Sequence, residues 1–212
     1  MSRTVAIGIQ SFSDIVLNNC FYVDKTSFIK DWWDSMDSVT LITRPRRFGK
    51  TLTMNMVESF FSVDYAKRSD LFEHYNVWQY EKYRNIQGTY PVISISFARI
   101  KETGYEETKA KIYEIIRNLY VKFAYICNSD IFLASDIAYY NKMLSGSMNE
   151  AEATSAIYQL SDYLYRYYKK KVIILLDEYD TPMQEAYLNG YWDKLSAFTR
   201  SMFNSTFKTN PA

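Results

Sequence analysis

Gly49, Lys50 and Thr51 close the stretch RPRRFGKT (44–51), which leaves the apolar run VTLIT (39–43) and enters TLTMNMVESFF (51–61). These residue types suit an oligophosphate. Glycine lets the backbone approach closely, a lysine ammonium can reach β- and γ-phosphates, and a threonine hydroxyl can bind Mg²⁺. The general pattern for such a loop asks for a first glycine where Arg44 stands. Arg44 precedes Pro45 and is therefore pushed toward extended backbone. The chain can thus leave a strand extended, with Pro45 setting the bend. Arg46 and Arg47 place further positive charge at the loop, and Pro45, Phe48 and Leu52 complete the candidate contact set. The competing reading is a solvated basic turn.

A second constellation discriminates between these readings. VIILLDE (172–178) is an apolar run ending in two acids. Asp177 at the carboxyl end of such a strand suits Mg²⁺ beside a phosphate loop. Glu178, the next residue, suits a general base that orients an attacking water. Asp180 in the following DTP suits the capping of the next helix. The two motifs, in this order and context, favour a nucleotide site over a basic turn.

The elements that must position these groups follow from periodicity. CFYV (20–23), VTLIT (39–43), PVISISF (91–97) and 172–176 are the strand candidates. Asp24 reads as an N-cap for a helix over 25–33. Leu52, Met56 and Phe60 recur at helical spacing, placing an amphipathic helix over 51–61 directly behind the loop. Thr103–Glu106 and Ser147–Glu150 read as capping boxes. The first opens a helix with Ile112, Ile115, Ile116, Leu119, Phe123 and Ile126 on one face; the second opens one with Ile157, Leu160 and Leu164 inward. A further helical stretch covers 130–144, broken by SGS (145–147). Thr181 as N-cap and Pro182 in the first turn start a last helix over 183–205, with Leu188, Trp192, Leu195 and Phe198 aligned. Apolar strands separated by long helices favour a mainly parallel sheet covered by helices on both faces. No linker-like stretch divides residues 1–212, which read as one domain.

Composition excludes several classes. Of 212 residues, 48% are apolar, which rules out a disordered chain. A net charge of +1 argues against a protein built mainly to coat nucleic acid or acidic membrane. The 20 tyrosines and 13 phenylalanines are read as core and half-buried packing. Cys20 and Cys127 are too few and too distant for a disulfide framework, and read as buried thiols of a reducing cytosol. No signal peptide and no apolar run of ~20 residues is present, so the expected location is cytoplasmic. The single histidine, His74, has no nucleophile motif beside it.

GIQSFSDIVLNNCFYVDKTSFIK (8–30), LITRPRRFGKTL (41–52), PVISISF (91–97) and LLDEYDTPM (175–183) resemble the bacterial AAA-ATPase-like domain family. The resemblance spans nearly the whole chain and makes Arg44 a family feature. It implies a P-loop NTPase of the ASCE type, a three-layer α/β/α domain. Residues 1–36 would form an N-terminal family segment, 39–61 the strand, loop and helix, and 91–180 the second strand, a helical region and the acid-bearing strand. In that core Lys50 and Glu178 would be catalytic, and Thr51 and Asp177 would hold Mg²⁺. Asp24, Lys25 and Thr26 match a family segment and could line the base or the phosphates. Such a core would continue past Asp177–Glu178 into two more strands with a sensor and an arginine finger. The C-terminal part of the core is therefore expected to be missing, with slow turnover and self-association as consequences. Arg200 reads as a solvated helix residue. Many family members carry a PD-(D/E)XK nuclease-like domain after the ATPase core, so such a domain or another protein is an expected partner. The expected activity is Mg²⁺-dependent ATP hydrolysis, with ATP and ADP as ligands. A nucleotide-sensing or nucleic-acid-binding module with little hydrolysis and a P-loop kinase are the alternatives.

Overall fold

The computed structural model describes residues 4–5, 7–43, 45, 48–208 and 210. Arg44, Arg46 and Arg47 lie outside the described residues. The fold mixes helices with a small sheet of two parallel strands, and the chain divides into two compact units, residues 1–92 and 93–212.

The first unit is built on aromatic packing. Helices α1 (Phe12–Leu17), α2 (Ser27–Ser35) and α3 (Lys50–Phe61) are followed by short 3₁₀ turns at 63–65, 69–71 and 76–79, and by α4 (Glu81–Arg84). Phe60 of α3 meets Phe61 and Phe72 edge-on at 5.0 Å, and Phe12 stacks on Phe72 at 5.1 Å. Trp33 of α2 stacks on Phe61 at 5.2 Å. Aromatic pairs of this geometry add to the area they bury, so these rings brace the scaffold behind α3.

Two expected strands do not form here. Residues 39–43 carry no strand, and Val39 and Leu41 are 65% and 64% exposed. Residues 20–23 run without a ladder: Phe21 and Val23 point outward while Tyr22 packs against Phe12 and Tyr75. A short apolar run becomes a strand only where a partner supplies its missing hydrogen bonds. Among the described residues 39–43 has no such partner, and 20–23 has only single bonds, from the Cys20 N–H to the Ile15 carbonyl and from the Phe21 N–H to the Thr4 carbonyl, which do not make a ladder. The predicted α2 starts two residues late, because Thr26 and not Asp24 occupies the N-cap position.

In the second unit, β1 (Val92–Ser96), which begins at the unit boundary, pairs with β2 (Ile173–Asp177). Both strands lie within one residue or so of their sequence-based bounds. Around them stand α5 (Tyr105–Lys122), α6 (Ala134–Ser145), α7 (Glu150–Tyr168), α8 (Thr181–Leu188) and α9 (Trp192–Phe207). The apolar faces read from periodicity are buried: Ile112, Ile116 and Leu119 on α5, Ile157, Leu160 and Leu164 on α7. Two buried tyrosines knit α5, α6 and α7 together. The Tyr120 hydroxyl donates to the Ala156 carbonyl at 2.8 Å, and Tyr140 donates to the Tyr120 carbonyl at 2.8 Å. Burial pushes both phenols well above their ordinary pKa, so they remain protonated donors. Tyr120→Phe is expected to lower stability by about 1 kcal/mol, the net worth of one buried hydrogen bond, read from the urea midpoint. An unchanged midpoint would mean that only the ring matters.

Helix ends differ from expectation for local reasons. Gly104, not Thr103, precedes α5. Asn149, not Ser147, caps α7: its side chain accepts from Glu152 N–H at 2.9 Å and Glu152 returns the bond to Asn149 N–H at 2.9 Å. That reciprocal box satisfies two orphan donors, whereas the Ser147 hydroxyl is engaged by Ser145. Asp180 takes the N-cap position of α8, one residue ahead of Thr181. The single helix expected over 183–205 is broken after Leu188, where Gly190 takes a φ of 78° that favours glycine. The break turns Leu188 outward, at 76% exposure, while Leu195 and Phe198 stay buried. Cys20 and Cys127 are both free and half-buried, less enclosed than expected.

Candidate functional site

The phosphate-loop residues belong to the first unit. The Phe48 N–H donates to the Pro45 carbonyl at 3.4 Å, and Phe48 is 60% exposed. Gly49 then takes a left-handed conformation, φ 76° and ψ 26°, and occupies the N-cap position of α3. Its carbonyl accepts from the Thr53 backbone N–H and the Thr53 hydroxyl, both at 2.9 Å. Glycine at the cap position brings no side chain of its own to bond the helix start. The first-turn amides of Lys50, Thr51 and Leu52 are the donors that a helix cannot satisfy from within. With the positive end of the helix dipole they form an anion-attracting surface. Lys50 and Thr51 are half-exposed, as contact with a ligand requires.

The rest of α3 holds this start in place. Met56, Val57, Phe60 and Phe61 are buried, and the Phe12 N–H donates to Asn55 Oδ1 at 2.7 Å. The positive φ at Gly49 would strain any other residue, and a Cβ there would lie 3.3 Å from the Lys25 ammonium. Sequence spacing alone did not bring Lys25 to the loop, although it belongs to the YVDKT segment singled out above.

Asp24, the neighbour of Lys25, has a structural role. Its Oδ1 accepts from the Thr26 N–H at 2.8 Å and the Thr26 hydroxyl at 2.7 Å; its Oδ2 accepts from the Asn76 N–H at 2.8 Å. Thr26 Oγ1 accepts in turn from the Val77 N–H at 3.1 Å. This network ties the turn before α2 to the 3₁₀ segment at 76–79.

The acid pair belongs to the second unit. Asp177 ends β2, half-buried, and its carbonyl accepts from the Phe97 N–H at 3.0 Å. Glu178 follows at φ 53°, a left-handed position that a non-glycine residue seldom takes. Its carbonyl accepts from the Thr181 N–H at 3.0 Å and its Oε2 from the Thr181 hydroxyl at 3.2 Å. The turn into α8 is therefore clasped by Glu178, while the Asp180 carboxylate accepts from Gln184 on the helix surface at 2.8 Å. Asp177 and Thr51 offer hard oxygen donors of the kind that Mg²⁺ takes. Among the described residues no group of three or more His, Cys, Asp or Glu side chains could hold a metal by itself.

Other features carry less. A concavity between the start of α5 and the α8–α9 turn is lined by Tyr105, Glu106, Tyr191 and Lys194, and contains neither motif. Arg200 lies exposed on α9, as a solvated helix residue. No helix among the described residues is long and apolar enough to cross a membrane.

No curated protein and no solved structure matches the chain. Residues 6–212 match the family described as predicted AAA-ATPase, and the chain, matched over nearly its whole length, belongs to that AAA-ATPase-like family.

Proposed function

We propose that the chain is a Mg²⁺-dependent ATPase of the P-loop class, with residues 1–212 belonging to one domain of the ASCE type. The observation that carries this reading is Gly49 in a left-handed conformation immediately before a 12-residue helix whose first residues are Lys50 and Thr51. That local arrangement is the one a phosphate loop needs. Membership of the AAA-ATPase-like family supports it.

The roles follow from chemistry. The amides of 50–52 and the Lys50 ammonium receive the β- and γ-phosphates of ATP or ADP, and Pro45, Phe48 and Leu52 border them. Arg44, Arg46 and Arg47 belong to the same motif and add positive charge. Thr51 and Asp177 hold Mg²⁺, which neutralises phosphate charge. Glu178 orients the attacking water and takes its proton. The assignment of Asp177 and Glu178 rests on the family and on the order of the two motifs in the sequence. A partner protein or attached nuclease-like domain that uses the hydrolysis belongs to the proposal.

The test is calorimetric titration of Mg²⁺-ATP. Lys50→Ala removes the ammonium and leaves the glycine turn, so affinity should fall by at least about tenfold, or about 1.4 kcal/mol. Equal affinity of the two proteins would overturn the loop assignment.

A further inference from the structure

The Lys25 ammonium stands at the start of α3. Its Nζ lies 3.3 Å from the point that a Cβ on Gly49 would occupy. It therefore meets the helix at Gly49, the N-cap residue directly before Lys50. Among the described residues Lys25 takes part in no salt bridge.

This position is held from both sides. Asp24 is pinned to Thr26 and Asn76 by three hydrogen bonds of 2.7–2.8 Å. Thr26 is fully buried. On the other side the Tyr22 hydroxyl donates to Met56 Sδ of α3 at 3.3 Å. The residues flanking Lys25 are thus anchored, one of them to the same helix whose start Lys25 overlies.

The electrostatics without a ligand are unfavourable. A helix N-terminus carries partial positive charge and is stabilised by anions, not by cations. Lys25 brings an ammonium to that end, in a helix whose first residue is Lys50. An anion between these groups turns the repulsion into attraction on every side.

We infer that Lys25 is a second phosphate-binding cation of the loop, gripping the oligophosphate of a nucleoside di- or triphosphate together with Lys50 and the α3 amides. The inference rests on the phosphate-loop reading proposed above. The family segment YVDKT then has a division of labour: Asp24 and Thr26 hold the turn, and Lys25 touches the ligand.

The test uses pyrophosphate, ADP and adenosine as calorimetric probes of the unmodified chain, Lys25→Ala, Lys25→Arg and Lys50→Ala. Lys25→Ala should weaken both pyrophosphate and ADP by about tenfold, as loss of a charge-assisted contact does. Adenosine binding, where measurable, should not change. Lys25→Arg restores the charge and should recover affinity to within about threefold of the unmodified chain. The melting temperature without ligand supplies the readout that a merely structural lysine would move. Lys25→Ala should melt no lower than the unmodified chain, because a cation is removed from the positive end of a helix, while its gain on adding ADP should shrink. If Lys25→Ala binds both phosphates normally while Lys50→Ala does not, the inference fails and the loop reading stands. A lower melting point without ligand, with affinity not rescued by arginine, would assign Lys25 a structural role and also overturn it. If the unmodified chain binds neither pyrophosphate nor ADP, the loop reading falls, and the inference with it.

Discussion

Glu178→Gln is expected to leave ATP affinity near that of the unmodified chain and to lower turnover by about 10²-fold, the usual cost of losing a general base. That factor corresponds to about 2.7 kcal/mol in the activation barrier. The substitution is informative because Glu178 has two candidate roles. Its carboxylate accepts from the Thr181 hydroxyl at the start of α8, and a glutamine carbonyl oxygen can accept the same bond. The clasp on the helix is therefore retained while the base is lost. The left-handed backbone at Glu178 adds to the case for function. Such positions cost on the order of 1 kcal/mol or more in non-glycine residues and gather at functional turns. Single-turnover hydrolysis separates the outcomes. Normal turnover in Glu178→Gln, with Thr181→Ala destabilising the fold, would leave Glu178 as a helix clasp and remove it from the chemistry.

Phe60→Ala should destabilise the chain by about 3–5 kcal/mol, the range for deleting a buried aromatic ring. Phe60 is fully buried and stands edge-on to both Phe61 and Phe72. Its neighbours are themselves packed into Phe12 and Trp33, so the space left behind cannot close without moving α1 or α2. The loss is a large part of the 5–15 kcal/mol that typically holds a domain together. Urea unfolding followed by tryptophan fluorescence measures it, since Trp32, Trp33 and Trp78 all lie in the first unit. Phe60 is nearly three helical turns behind the loop, so nucleotide affinity should weaken with it only as the folded fraction falls. A shift below about 1 kcal/mol would mean that the aromatic cluster is loosely packed and does not brace α3.

What the sequence alone determined is local or strongly periodic. The glycine, lysine and threonine of the loop, the helix behind them, and the two buried strands ending near Phe97 and at Asp177 were legible because each signal is complete within a few residues. The inward faces of α5 and α7 were legible because helical periodicity repeats over several turns. Tertiary structure decided what depends on a partner. VTLIT has the composition of a strand, yet pairing needs a neighbouring chain segment, and 39–43 has none among the described residues. Thr103 and Ser147 looked like caps, but a cap is chosen by which side chain reaches an orphan amide, and Asn149 reaches Glu152 where Ser147 turns to Ser145. The break at Gly190 lies inside a run of helical spacing that hides it, because a periodic pattern can continue across a turn. Lys25 and Asp24 are adjacent in sequence and of equal promise there. Folding separates them: hydrogen bonds to Thr26 and Asn76 occupy the carboxylate, while the packing of Tyr22 against α3 delivers the ammonium to Gly49. Spacing along a chain cannot state such a meeting, since it is set by how α3 is packed and not by any residue within reach of the motif.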